Sequence, residues 1–351
     1  MVRKDFLSFY QNKKVLVTGH TGFKGSWLSF ILDDLGSIVK GYSLDPSTNP
    51  SLFNNISFSN RFNSVIGDIR DEINFTNEIL DFSPDIIFHL AAQPLVIKSY
   101  QNPRETFDTN FTGTMNLLEA LKKTNRECTV VIITTDKVYE NKNKKIPFKE
   151  NDKLGGDDPY SASKAASEIL INSYTKSFFS DNRIKISSAR AGNVIGGGDW
   201  AENRLVPDII RSLFEDKELS IRNPLYVRPW QHVIEPLIGY MSLAEKLHNN
   251  PLKFSGSWNF GPTNDQIKTV DELIKEITNN NLNLNINYQT NEIKESSYLA
   301  LDISKSINEL SWRPKWNFKD TICKTINWYT EFYNGKNINT LIKSDIESYL
   351  N

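Results

Sequence analysis

Three evenly spaced glycines follow a short apolar run and open a helical pattern, in Val15-Leu16-Val17-Thr18-Gly19-His20-Thr21-Gly22-Phe23-Lys24-Gly25. Strand, tight turn and helix in that order form the context in which a glycine loop holds a dinucleotide. Gly19 permits the turn, Gly22 lets the backbone approach a pyrophosphate, and Gly25 lets helix and strand pack closely. The helix N-terminus then faces negative charge.

The rest of the first half repeats this alternation. Strand-like runs stand at Ile38–Leu44, Val65-Ile66, Ile86–Leu90, Val130–Ile133 and Ile186–Ala189. Helical patterns lie between them, at Ser26–Leu35, Glu105–Lys122 and Tyr160–Phe178. Apolar runs without polar alternation suit strands buried on both faces. Strands alternating with helices predict an α/β fold with a Rossmann-type, doubly wound parallel sheet. After Arg190, Gly196-Gly197-Gly198 and Pro207, Pro224, Pro229 and Pro262 divide the chain into shorter elements. Helical stretches persist at Pro207–Phe214, Pro236–Leu247, Val270–Ile277 and Thr321–Tyr333. The expected division is a dinucleotide-binding domain over 1–190 plus about 231–256, and a smaller substrate lobe over 191–230 and 257–351.

Composition excludes several classes. A net charge of −1 offers no broad attraction to nucleic acid or membranes. No apolar run approaches the ~20 residues of a membrane span, and the N-terminal residues lack the apolar stretch of a signal peptide. Cys128 and Cys323 are too few for a disulfide framework and have no metal spacing. A cytoplasmic location is expected, without a metal. The asparagine-rich stretch over 279–294 reads as a surface loop.

The candidate site residues fall at the ends of the predicted strands, where such sheets bind ligands. Asp45 stands about 20 residues beyond the last glycine, the spacing at which a carboxylate bonds a ribose 2′-hydroxyl. A 2′-phosphate would be repelled there, so NAD is expected rather than NADP. Asp68 follows the third strand, and Leu90, Ala91, Ala92 and Gln93 end the fourth; Asn110 lies in the following helix. Each of these either touches the cofactor or supports the site. Tyr160 and Lys164 are four residues apart and share a helix face. Phenol titrates near ~10, and a neighbouring ammonium lowers it towards the working range of a base. Lys164 can also hold the nicotinamide ribose. Thr135, after the fifth strand, can bond a reacting hydroxyl. Asp136 and Lys137 beside it exceed the needs of a plain alcohol dehydrogenase and suggest further acid–base work.

Taken together these blocks resemble the extended short-chain dehydrogenases/reductases acting on nucleotide sugars, and within them the CDP-glucose 4,6-dehydratases. The likeness runs from about Lys13 to Tyr333. It rests on the glycine loop through Trp27, Leu44-Asp45-Pro46, His89 to Val96, Thr135 to Asn141, Asp158 to Lys164, Ala189 to Trp200, and Arg228 to Val233. The Asp136-Lys137 pair is the form of the CDP-glucose group, whereas dTDP-glucose enzymes carry Glu at the second position. Thr135 and Val138 replace the usual Ser and Cys.

The resemblance extends the cofactor set to Thr21, Phe23 and Ile69. It puts Gln93, Leu205 and His232 in the substrate set, His232 packing there rather than catalysing. Arg190, Asn193, Arg204 and Arg228 are candidates for the substrate diphosphate and nucleotide, since two phosphates call for fork donors. For each arginine a structural ion pair is the alternative. Asp199 and Trp200 are expected to shape the loop over the sugar. The implied reaction oxidises the C4 hydroxyl of CDP-D-glucose, eliminates water across C5 and C6, and returns the hydride to C6. The C5 base is either Lys137 or a group that Lys137 assists. The alternatives are another nucleotide sugar, or C4 epimerisation, which has no need of Asp136. Pairing of Glu105–Lys122 and Tyr160–Phe178 across a two-fold axis implies a homodimer or homotetramer.

Overall fold

A computed structural model describes residue 6 and residues 8–215, 217–221, 223–279, 284–288 and 296–350. Seven strands build the central sheet: β1 (Lys14–Thr18), β2 (Ile38–Ser43), β3 (Phe62–Ile66), β4 (Ile86–His89), β5 (Cys128–Ile133), β6 (Ile184–Ala191) and β7 (Gly256–Phe260). Their order is β7-β6-β5-β4-β1-β2-β3, and every neighbouring pair is parallel. The winding reverses between β1 and β4, the crevice where ligands bind in open α/β sheets. The longer helices are α1 (Phe23–Asp34), α2 (Glu72–Phe82), α3 (Gly113–Lys123), α4 (Pro159–Phe178), α5 (Leu205–Glu215), α6 (Ile234–Asn249), α7 (Val270–Thr278), α8 (Phe318–Tyr333) and α9 (Ile338–Leu350).

Successive strand residues face opposite sides of a sheet, and the two cores follow that alternation. Val15, Val17, Ile86, Phe88, Val131 and Ile133 enter one core, with α1, α6 and the C-terminal helices. Leu16, Ile87, Val130 and Ile132 enter the other, with α2, α3 and α4. The first core runs without a break into the second half of the chain, through Leu273, Trp312, Ile322, Trp328 and Ile342.

Three differences from the sequence expectation stand out. The pattern over Glu105–Lys122 is not one helix: Pro103–Phe107, a π-helical turn at Asp108–Thr112 and α3 follow in series. The turn puts Asn110 inward, where it is 1% exposed. Strand β7 was not anticipated, and it carries the returning segment beyond residue 256 into the sheet. Part of the asparagine-rich stretch, Ile286–Tyr288, pairs with Leu219–Ile221; most of the rest lies outside the described residues. Two further ribbons, Val194–Ile195 with Gln231–His232 and Val227–Arg228 with Lys268–Thr269, shape the second half.

One buried ion pair fixes α4 to the sheet. Arg190 on β6 donates Nη2 to Glu168 Oε2 at 2.8 Å and Nε to Glu168 Oε1 at 3.0 Å. Both side chains are 3% exposed. Thr134 and Ser188 also donate to the carboxylate, and Arg190 donates to Tyr139 and to Ser257 on β7. Burial alone would raise the Glu168 carboxyl, but Arg190 and the hydroxyls outweigh it and hold it below its usual range. Removing one partner of such a pair strands a buried charge at a cost of about 3–5 kcal/mol. Arg190→Met should therefore lower the unfolding free energy, read from urea denaturation, by that much, and adding Glu168→Gln should restore part of it. Equal stability of Arg190→Met and the parent would contradict the assignment.

Candidate active site

The glycine loop is shaped by close backbone approach. Gly19 has φ +73°, and a Cβ there would fall 2.8 Å from Ala91 N. A Cβ on Gly25 would fall 2.0 Å from Gly19 O, so helix and loop touch without room for a methyl group. Gly22 is exposed at the α1 N-terminus, which no side chain caps. Thr18 Oγ1 accepts from Ala91 N at 3.1 Å and pairs with His89 Nδ1 at 2.8 Å, joining β1 to β4 at the crevice. Thr21 donates to Leu44 O at 2.8 Å, which draws the end of β2 and the adjoining Asp45 alongside the loop. Asp45 is exposed and makes no hydrogen bond or ion pair among the described residues. An uncapped helix N-terminus, an open glycine surface and a free carboxylate fit a dinucleotide, with the carboxylate at the ribose end.

The other cofactor candidates have mixed surroundings. Phe23, Leu90, Ala91 and Ala92 are half-buried along the crevice. Arg70 takes up the Asp68 carboxylate, with Nη2 to Oδ2 at 2.6 Å. Ile69 is 4% exposed; its side chain packs against Gly113, and its carbonyl accepts from Asn116. Asn110 supports the site from behind: Oδ1 accepts from Gln93 N at 2.8 Å and Nδ2 donates to Ser163 Oγ at 2.9 Å on α4.

The catalytic candidates converge where β5 ends and α4 begins. Thr135 caps a 3₁₀ turn over Asp136–Val138, its Oγ1 accepting from Lys137 N at 3.3 Å and donating to Asp136 Oδ1 at 3.0 Å. Asp158 caps α4 by accepting from Ser161 N at 2.9 Å, which sets Tyr160 in the first turn. The Tyr160 hydroxyl stands near enough to Thr135 for that side chain to draw it downwards. Lys164, one turn on, donates Nζ to Ile133 O at 3.3 Å. Asp136 is 2% exposed and its Oδ2 has no partner. Gly192 makes room for that oxygen, since a Cβ there would fall 1.7 Å from it.

Burial dominates the electrostatics. It raises the Asp136 carboxyl, against Lys137, the Thr135 hydroxyl, Arg228 and Lys24, so this acid keeps its proton above the usual carboxylate range. It lowers Lys164 to about 8, helped by Lys24 and opposed by Glu168. It raises Tyr160 to about 12, with Thr135 and Arg204 acting downwards and Asp136 upwards. Lys164 is not among the groups that lower Tyr160 here. The sequence expectation took shared helix face as sufficient; the ammonium instead turns to the β5 carbonyl.

A cavity of about 540 Å³ opens in front of these groups. Thr135, Asp136, Lys137 and Tyr160 line it together with Asn193, Arg204, Leu205 and Arg228. Arg204 Nη1 lies 3.1 Å from Asp199 Oδ2, and Arg228 donates to Val227 O and Ser296 O, both at 2.9 Å. Three expected substrate residues are not in the wall. Arg190 is spent on Glu168. Gln93 is tied to Leu95 and Thr106, leaving Pro94 and Leu95 to line the cavity. His232 is fully buried between Trp27 and Trp316, and burial lowers it to about 3. Conversely, Lys24 lines the cavity without having been expected there. Its sequence signal was a cation placed between two loop glycines, one residue inside the helix.

Asp45 is the group expected to distinguish the two dinucleotides. Asp45→Asn should weaken NAD about tenfold, the worth of one charged hydrogen bond, and narrow the gap to NADP. Calorimetric titration with both cofactors measures this. Unchanged affinities would remove Asp45 from the ribose site.

Comparison with known proteins agrees with this geometry. The GDP-mannose 4,6 dehydratase family pattern matches residues 16–325. A CDP-glucose 4,6-dehydratase of Salmonella typhimurium is 43% identical over 351 residues, covering 98% of each chain. A dTDP-glucose 4,6-dehydratase from Bacillus anthracis in complex with NAD superposes with a TM-score of 0.76 at 25% identity, covering 92% of this chain and 98% of its own. An epimerase from Methanothermobacter thermautotrophicus shares the fold, with a TM-score of 0.81 at 24% identity over 97% of each chain. The chain belongs to the GDP-mannose 4,6 dehydratase family.

Proposed function

We propose that this protein is an NAD-dependent hydro-lyase converting CDP-D-glucose to CDP-4-keto-6-deoxy-D-glucose. The observation that carries the reading is Asp136, a buried acid with an unpartnered oxygen beside Thr135 and Tyr160. Simple alcohol oxidation has no use for it. The 43% identity to a CDP-glucose 4,6-dehydratase supports the same reaction and nucleotide.

The cofactor is held by the backbone of Gly19 and Gly22 at the α1 N-terminus, by Asp45, and by Lys164 at the reacting end. Bound there, NAD supplies the hydride chemistry, taking from sugar C4 and giving back at C6. Tyr160 takes the proton of the sugar O4 hydroxyl, which Thr135 orients. A phenol at about 12 needs positive charge beside it to act as a base; Arg204 already contributes, and Lys164 stands one turn away. The C4 ketone acidifies C5–H. The C5 proton goes to Lys137 as its neutral amine, or to a group that Lys137 assists; Asp136 gives its own proton to the departing C6 hydroxyl so that water leaves, and C5 regains a proton when the hydride returns to C6. Elsewhere in the lining Arg204 and Arg228 offer their guanidinium groups to the diphosphate, with Asn193 and Leu205 completing the substrate set.

The sheet with its returning segment forms the cofactor domain in this reading, and the ribbons with α5, α7, α8 and α9 form the sugar lobe. A homodimer or homotetramer is proposed, supported by exposed Phe107 and Ile169 on the two stretches expected to pair. No helix among the described residues is long and apolar enough to cross a membrane, in keeping with action in the cytoplasm.

Incubation with CDP-glucose and NAD should give a 4-keto product, detected by its alkali-induced absorbance, without NADH build-up. Asp136→Asn should still oxidise C4 but fail to lose water, so that NADH accumulates. Product from dTDP- or GDP-glucose alone would reassign the nucleotide. Lys137→Ala should abolish deuterium exchange at C5; retained exchange would take the base role away from Lys137.

A further inference from the structure

Lys24 is a charged group of the cavity wall with no part in the steps above. It stands in the first turn of α1, next to the glycine loop. Its charge is felt by both Asp136 and Lys164. The ammonium makes no hydrogen bond or ion pair among the described residues. Asp199 is taken by Arg204, and the bonded oxygen of Asp136 is taken by Thr135. Burial, and then Arg204, lower Lys24 to about 8, while Asp136 and Asp199 act the other way. The protein alone therefore leaves this positive charge under-compensated, and such a charge is costly to keep.

We propose that Lys24 is a tuning residue whose ammonium biases the bound nicotinamide towards its reduced form. The inference rests on the NAD-dependent reading above. Hydride leaves the carbon whose hydroxyl meets Tyr160 and Thr135, and transfer demands a ring within about 3–3.5 Å of that carbon. Lys24 acts on the groups that border the same end of the cavity. The oxidised nicotinamide ring carries a positive charge and the reduced ring carries none. A nearby fixed cation repels the first and spares the second. An enzyme that borrows a hydride and later returns it gains from this bias, because the reduced cofactor has to persist through the elimination.

The test is the pair of dissociation constants for NAD and NADH, measured by titration calorimetry without any sugar, for the unaltered protein, Lys24→Met and Lys24→Arg. The ratio Kd(NAD)/Kd(NADH) should fall roughly tenfold in Lys24→Met, the scale of one unit charge acting across a partly screened site. Lys24→Arg, which keeps the charge, should retain the parent ratio. An unchanged ratio in Lys24→Met overturns the proposal, including the case in which both forms bind more weakly by the same factor and Lys24 merely anchors the diphosphate. Should Lys24→Met fail to fold, Lys24→Gln gives the same comparison with a polar, uncharged head. A wrong sugar assignment leaves this measurement untouched, whereas an unaltered protein that binds neither form overturns both readings.

Discussion

The buried pair of Glu168 and Arg190 sets the position of everything catalytic. Tyr160, Lys164 and Glu168 are spaced four residues apart and share one face of α4. Fixing Glu168 against β6 fixes the rotation and height of that face. Lys164 then falls at the carbonyl of Ile133, and Tyr160 falls beside Thr135 at the mouth of the crevice. The pair reaches further through its hydroxyl partners: Thr134 belongs to the end of β5, Ser188 to β6 and Ser257 to β7. Three neighbouring strands and one helix thus meet at a single guanidinium–carboxylate contact. An arginine suits the post because its planar fork bonds the carboxylate at two points and still reaches Tyr139.

Charge is handled differently at the two ends of α4's inner face. At Glu168 every oxygen is satisfied, and the ionised state is favoured despite burial. Around Tyr160 the groups are left incomplete: Asp136 Oδ2 has no partner, Lys164 holds one long contact to a carbonyl, and Tyr160 sits well above its ordinary range. Incomplete polar groups in a dry site are unstable on their own and gain from a ligand that completes them. The fold tolerates that end because the other end is tightly closed.

How much of this was legible in the sequence depends on what each residue's neighbours had to say. Strands β4 and β5 were readable because both faces are covered, which leaves uninterrupted apolar runs; β3, at the exposed edge, showed only the short run Val65-Ile66. Strand β7 was not readable, because Ser257 and Asn259 interrupt its run; the half-buried Ser257 and the buried Asn259 are held by hydrogen bonds with Arg190, Tyr139 and Phe148, partners distant in the chain. The glycine loop was readable because most of its constraint is local: Gly22 and Gly25 answer to Gly19 and His20 within a few residues, and only Gly19 also meets the distant Ala91. Arg190 was harder. An arginine at a strand end looks the same whether it awaits a phosphate or a glutamate, and Glu168 lies on a separate element. His232 and Gln93 fail similarly, since aromatic neighbours and loop carbonyls are supplied by the tertiary fold. The interrupted helix around Asn110 gave no sign because a π-turn preserves composition while shifting the register.

The two faces of the sheet differ in which part of the chain closes them. The core beneath α3 draws only on residues between Leu16 and Ile186. The core on the opposite face needs residues as late as Tyr349. As the chain leaves the ribosome, the first face can be covered by its own helices while the second still lacks its roof. Until α6 emerges, the part of that face which α1 does not cover, Val131 included, is open to solvent. That face is where a chaperone would hold the nascent chain, and where a truncated product would stick to its neighbours.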